Sequence, residues 1–94
     1  MHTLVVQMSI DPSRVAEVET HVRADIVPWA RRQRGFVTGQ WLRSPDGRRG
    51  LGVVVFASAE AANAAAGGPR TYERDDARAW NIENVTVFEQ VAST

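Results

Sequence analysis

Hydrophobic and polar residues alternate from Thr3 to Ser9, with Leu4, Val6 and Met8 on one face and Thr3, Val5, Gln7 and Ser9 on the other. That is the period of a half-buried strand. After Asp11-Pro12 the period changes. Val15, Val18, Val22, Ile26 and Trp29 recur at spacings of 3, 4, 4 and 3, one apolar helical stripe about four turns long. Asp11 is a natural N-cap, and Pro12 at the first helical position loses no needed N–H. Pro28 predicts a bend or stop around Ile26–Trp29. Phe36 to Arg43 and Leu51 to Phe56 read as paired strands around the turn Ser44-Pro45-Asp46-Gly47. A second helix follows Ser58, carried by Glu60 and the alanine-rich run 61–66, and is expected to stop at Gly67-Gly68-Pro69. Residues 70–79 are polar and read as a further helical turn or a loop, either a lid or a connection. Val85 to Val91 alternates as the last strand.

The order βαββαβ predicts an α+β, ferredoxin-like fold: a four-stranded antiparallel sheet with both helices on one face. If Leu4, Val6, Val85, Val87 and Val91 meet the helices, the other face keeps Val5, Phe56 or its neighbour Val54, and Phe88, among Gln7, Thr86 and Gln90. Strand parity within 36–56 is open by one residue, since bulges are common beside such hairpins. Either parity leaves an apolar patch of the kind that marks an interface, so a sheet-on-sheet homodimer is expected.

Composition narrows the chemistry. Ninety-four residues suit one domain, 1–94. Eleven arginines against 11 acids, with no lysine, give no net charge and no nucleic-acid or anionic-membrane footprint. The absence of cysteine removes disulfides and thiolate chemistry, and the absence of lysine removes a Schiff base. No apolar run reaches membrane-spanning length, residues 1–10 read as a strand without a charged leader, and a cytoplasmic location is expected. Two isolated histidines, His2 and His21, form no metal-ligand set. Arg49-Gly50-Leu51-Gly52-Val53-Val54-Val55-Phe56 is similar to the RNA-recognition signature RNP1. The positions that should stack bases are Leu51 and Val53, and strand one offers Val5, so RNA binding is not expected.

Val27-Pro28-Trp29 with Arg34-Gly35-Phe36, and Phe56-Ala57-Ser58-Ala59-Glu60-Ala61, resemble the dimeric α/β-barrel superfamily. The nearest branch is the antibiotic-biosynthesis monooxygenase (ABM) domains. The resemblance implies a homodimeric barrel with a ligand cavity between sheet and helices in each subunit. It also implies a choice among cofactor-free quinol oxygenases, haem-degrading oxygenases and lactone isomerases or polyketide cyclases. The haem-degrading branch resembles a pattern of Asn in strand one, Trp in the second helix and His about ten residues on. Gln7 stands near the first position, Ala64 and Ala65 replace the Trp, and no histidine follows His21.

His21 lies on the flank of the first stripe, with Asp25 one turn on and Glu17 one turn back. The group is either a solvated i,i+4 surface pair or an imidazole oriented as a general base. Trp29, Trp41, Trp80 and Tyr72 are either core and seam or the walls of an aromatic-ligand site, with core the expected place for Trp29. Arg31, Arg32 and Arg34 complement a helix C-terminus. What the resemblance implies for activity is a cofactor-free oxygenation of a phenolic, quinol or polyketide-like ligand. His21, Gln7 or Tyr72 would handle protons, and Trp41, Trp80, Phe56, Phe88 and Asp25 would hold the substrate. The alternative is a non-catalytic homodimeric barrel that binds a small molecule.

Overall fold

The computed structural model describes residues 1–94. In chain order the elements are β1 (His2–Ile10), a 3-10 turn (Pro12–Arg14), α1 (Val15–His21), a π-helical turn (Val22–Ile26) and α2 (Val27–Arg32). Then follow β2 (Phe36–Arg43), β3 (Arg49–Phe56), α3 (Ala59–Arg70) and β4 (Trp80–Glu89). The strands lie in the order β2-β3-β1-β4 and every pair is antiparallel, the expected ferredoxin-like sheet. No helix is long and apolar enough to cross a membrane.

The first helical segment starts as its sequence dictates: Asp11 Oδ1 accepts from the backbone N–H and the hydroxyl of Ser13, at 3.0 and 2.7 Å. Its end differs from expectation. Helical backbone runs on through Pro28 to Arg32, because the π turn lies immediately before the proline and the N–H of Val27 reaches back to the carbonyl of Val22. Proline lacks an N–H and its ring collides with the carbonyl four residues back. A wide turn at that point relieves both problems, so the helix is re-phased instead of broken. Arg31 and Arg32 occupy the last turn.

The second helix also outruns its expected stop. α3 continues through Gly67-Gly68-Pro69 to Arg70, with Pro69 buried. Packing explains the glycine: a Cβ at Gly68 would stand 3.0 Å from Cζ2 of Trp29. The buried face of α3 is Ala61, Ala62, Ala65 and Ala66, and these short side chains let the helix settle closely on Leu4, Val54 and Phe56.

β4 begins at Trp80, five residues before the strand read from the alternation, and it ends at Glu89. Val91 lies beyond it, 94% exposed, and does not meet the helices. The reason is a bulge. Gln7 pairs with Asn84 but Met8 pairs with Ile82, so Glu83 is extra and the alternation reverses there. Trp80 and Ile82 before the bulge and Val85 and Val87 after it therefore all join the helix-side clusters.

Pairing in β3 settles the parity. Val54 and Phe56 are buried on the helix face, so neither lies on the open face. Leu51, Val53 and Val55 take that face, in register with Gln7, Val5 and Thr3, and Phe88 opposite Thr3 is 54% exposed.

The segment 71–79 is a clipped connection. Buried Asn81 holds it: Oδ1 accepts from the N–H of Asp75 (2.9 Å) and from Arg78 Nη2 (3.0 Å), and Nδ2 donates to the Asp75 carbonyl (3.2 Å). Arg14 Nη1 donates to the carbonyl of Ala77, and the N–H of Asp11 to that of Ala79.

Candidate functional site

The helix face has two separate cores. One gathers Leu4, Val54, Phe56 and the alanines of α3. The other gathers Ile10, Val18, Ala79 and Trp80. Between them, under the π turn, lies a cavity of about 530 Å³. Part of this space exists because β3 places Gly52 where a side chain would otherwise stand. A Cβ there would come within 3.2 Å of Nε1 of Trp41, whose ring also lies over Gly39.

Four aromatic side chains wall the cavity: Trp29, Trp41, Trp80 and Tyr72. Trp29 packs against the core as its place on the stripe predicts, but it also faces this space. Tyr72 meets Trp80 edge-on, with ring centres 5.2 Å apart at 65°. The Arg78 guanidinium lies over Trp80 at 4.4 Å, and the same side chain donates to the Trp80 carbonyl and the Glu73 carbonyl. These contacts lock Trp80 in one orientation.

His21 stacks on Trp80, with centres 5.2 Å apart and planes 14° from parallel. Its Nδ1 sits 2.9 Å from Oδ2 of Asp25, one turn along, and both residues line the cavity. A carboxylate accepts only, so Nδ1 carries a proton, and in the neutral ring the lone pair falls to Nε2. Nε2 is buried without a hydrogen-bond partner. This is the tautomer of a base, held by a carboxylate and an aromatic plate. Glu17 takes no part, being paired with Arg14 at 2.8 Å.

The structure thus brings together His21, Asp25, Tyr72, Trp41 and Trp80. It separates three other residues from them. Phe56 is wholly buried in the α3 core and does not face the cavity. Gln7 and Phe88 lie on the open face of the sheet, because their strand parity is opposite to that of Leu4 and Val87. Sequence reasoning missed Arg32 as a lining residue, since its place at a helix end already accounted for it. Its position three residues after Trp29 on the same helical face was the available signal.

No three His, Asp or Glu side chains converge as a metal site. Of the haem-degrading pattern, α3 presents alanines in place of the Trp, and the histidine at the cavity is His21 on the first helical segment. Elsewhere, hydrogen bonds hold carboxylates ionised. The Ser13 hydroxyl and N–H keep Asp11 below the usual carboxylate range. The Ser44 hydroxyl and the Arg48 N–H do so for Asp46, and Ser9 and Arg74 for Glu83.

No protein-family model and no curated protein matches the sequence. Solved structures match across the whole chain. HapK from Hahella chejuensis superimposes with a TM-score of 0.72 at 15% identity, covering 100% of this chain and 96% of its own. MhuD, a heme-degrader from Mycobacterium tuberculosis with two hemes in its active site, gives 0.72 at 24% identity over 100% and 99%. ActVA-Orf6, a monooxygenase from Streptomyces coelicolor in complex with nanaomycin D, gives 0.68 at 16% identity over 99% and 89%. The chain shares with these proteins the ferredoxin-like fold, a four-stranded antiparallel sheet with its helices on one face.

Proposed function

We propose that the chain is a cofactor-independent, ABM-type monooxygenase acting on a phenolic or quinol ring. The observation that carries this reading is the His21–Asp25 pair, set with its proton on Nδ1 in the wall of an otherwise aromatic cavity. A ring lying among Trp29, Trp41 and Trp80 presents its hydroxyl to His21; a turn of the imidazole on the Trp80 plate opens the buried Nε2, which takes the proton while Asp25 stabilises the imidazolium. The electron-rich anion then reduces O2. One oxygen atom enters the ring, the other leaves as water, and the substrate supplies the electrons. Tyr72 at the rim orients the ring.

The test is turnover of a quinol panel under O2. His21→Ala should lower the rate by at least about 100-fold, the usual scale of general-base catalysis, with ring affinity retained. An unchanged rate would return His21 to a structural role. The second reading, a binding protein without turnover, is favoured by the closure of Nε2. Wild-type binding of the panel without oxygen consumption would establish it.

A second copy covers the open face in this reading. Val5, Leu51, Val53, Val55 and Phe88 lie there with no helix above them, and Gln7 and Phe88 belong to that contact. Light scattering should give twice the 10.4 kDa of one chain, and a stable monomer would refute the contact.

A further inference from the structure

We infer that the cavity selects aromatic ligands bearing an anionic group, a carboxylate above all, and that Arg32 is the residue that reads it. This rests on the reading of the cavity as an aromatic-ligand site and adds the chemical class of its guest. Beside the Tyr72 phenol, three lining residues carry or can carry charge: His21, Asp25 and Arg32. His21 and Asp25 engage each other at 2.9 Å. Arg32 is in none of the ion pairs of the molecule, which join Arg14 to Glu17, His21 to Asp25, Arg43 to Glu19, and Arg74 to Asp76 and Glu83. At the cavity Arg32 is therefore a cation without an ion-pair partner, since the one carboxylate there, Asp25, is held by His21 Nδ1.

Its placement is specific. Arg31 and Arg32 are both exposed, but only Arg32 lines the cavity, since it follows Trp29 by three residues and shares its face of the helix. Across the mouth stand Gly68, Pro69 and Thr71, the end of α3, none of which carries charge. A guanidinium offers paired N–H donors that match a carboxylate in two-point geometry. The carbonyls ending α2 stabilise the Arg32 charge without a side-chain acceptor to occupy those donors. A flat ring among the tryptophans, with its hydroxyl towards His21, thus leaves its far end towards Arg32. A neutral ligand leaves the guanidinium to water.

The experiment titrates 9-anthroate and its neutral amide, 9-anthracenecarboxamide, into the wild-type protein, Arg32→Gln and Arg31→Gln, following tryptophan quenching. In the wild type the carboxylate should bind about 5- to 10-fold tighter than the amide, a gap that shrinks as salt rises. Arg32→Gln should erase the gap by weakening anthroate alone, and Arg31→Gln should preserve it. Equal binding of the two probes by the wild type, or equal loss of both in Arg32→Gln, overturns the role of Arg32 while leaving the aromatic site standing. Failure of both probes to bind refutes the aromatic site and this inference together.

Discussion

Asn81→Ala is the sharpest structural perturbation available, because one buried side chain fastens the whole segment 71–79. The substitution removes three hydrogen bonds: two accepted by Oδ1, from Asp75 N–H and Arg78 Nη2, and one donated to the Asp75 carbonyl. At roughly 0.5–1.5 kcal/mol each the upper sum is about 4.5 kcal/mol. Asp75 is exposed and water can serve its freed groups, so a loss of about 2 kcal/mol is the better expectation. For a domain this size that lowers Tm by roughly 8–16 °C. Asn81→Asp keeps both acceptor contacts, with Arg78 now paired to a carboxylate, but sets an oxygen against the Asp75 carbonyl where the amide donated, so its shift should be smaller than that of Asn81→Ala but not absent. Differential scanning calorimetry at fixed protein concentration measures both, and near-ultraviolet circular dichroism follows Trp80, which Arg78 covers. An Asn81→Ala protein melting within about 2 °C of wild type would refute the assignment. The segment would then be held by the contacts of Arg14 with Ala77 and Asp11 with Ala79.

Gly35 has φ +79°, and a Cβ there would stand 2.7 Å from that of buried Ala61. Gly35→Ala should therefore cost about 2–4 kcal/mol in urea unfolding, and adding Ala61→Gly should recover the steric part only. Acid should destabilise the fold through Asp11, Asp46 and Glu83, whose native pKa values are all lowered. A depressed carboxyl binds fewer protons folded than unfolded, so its stabilisation is complete above the ordinary range near 4. It is lost as pH falls through the lower native values. Asp46→Asn should flatten the Tm profile between about pH 2 and 4 and leave it unchanged in slope above pH 5.

Element order was readable because each element carries an unambiguous period and a capped start, as with Val15–Val18–Val22 after Asp11 and the alanines after Ser58. The misread boundaries share a cause. Pro28, Pro69 and Glu83 each break a local rule, and in each case non-local packing or a change of hydrogen-bond register absorbs the break. A periodicity argument ends at such a point while the chain continues. The same phase shift at Glu83 concealed Trp80 and Ile82 as strand residues. His21, Asp25, Tyr72, Trp41 and Trp80 were identifiable by residue type and spacing. Phe56 was misplaced because parity within 36–56 was open by one residue, whereas the face of Gln7 was legible in its alternation with Leu4, Val6 and Met8 and the cavity lies on the opposite side of the sheet.

The two cores that flank the cavity do not touch across it, so the native state lacks the buried contacts that a continuous interior would supply. A fitted guest would act as the missing middle of the hydrophobic interior and would stiffen both halves at once. Occupancy and melting temperature then become two measures of one quantity. At a ligand concentration of 100 Kd, binding to the folded state alone adds about 2.7 kcal/mol. Screening aromatic acids by thermal shift would therefore find the natural guest by the order it imposes on the fold, whatever reaction the cavity goes on to perform.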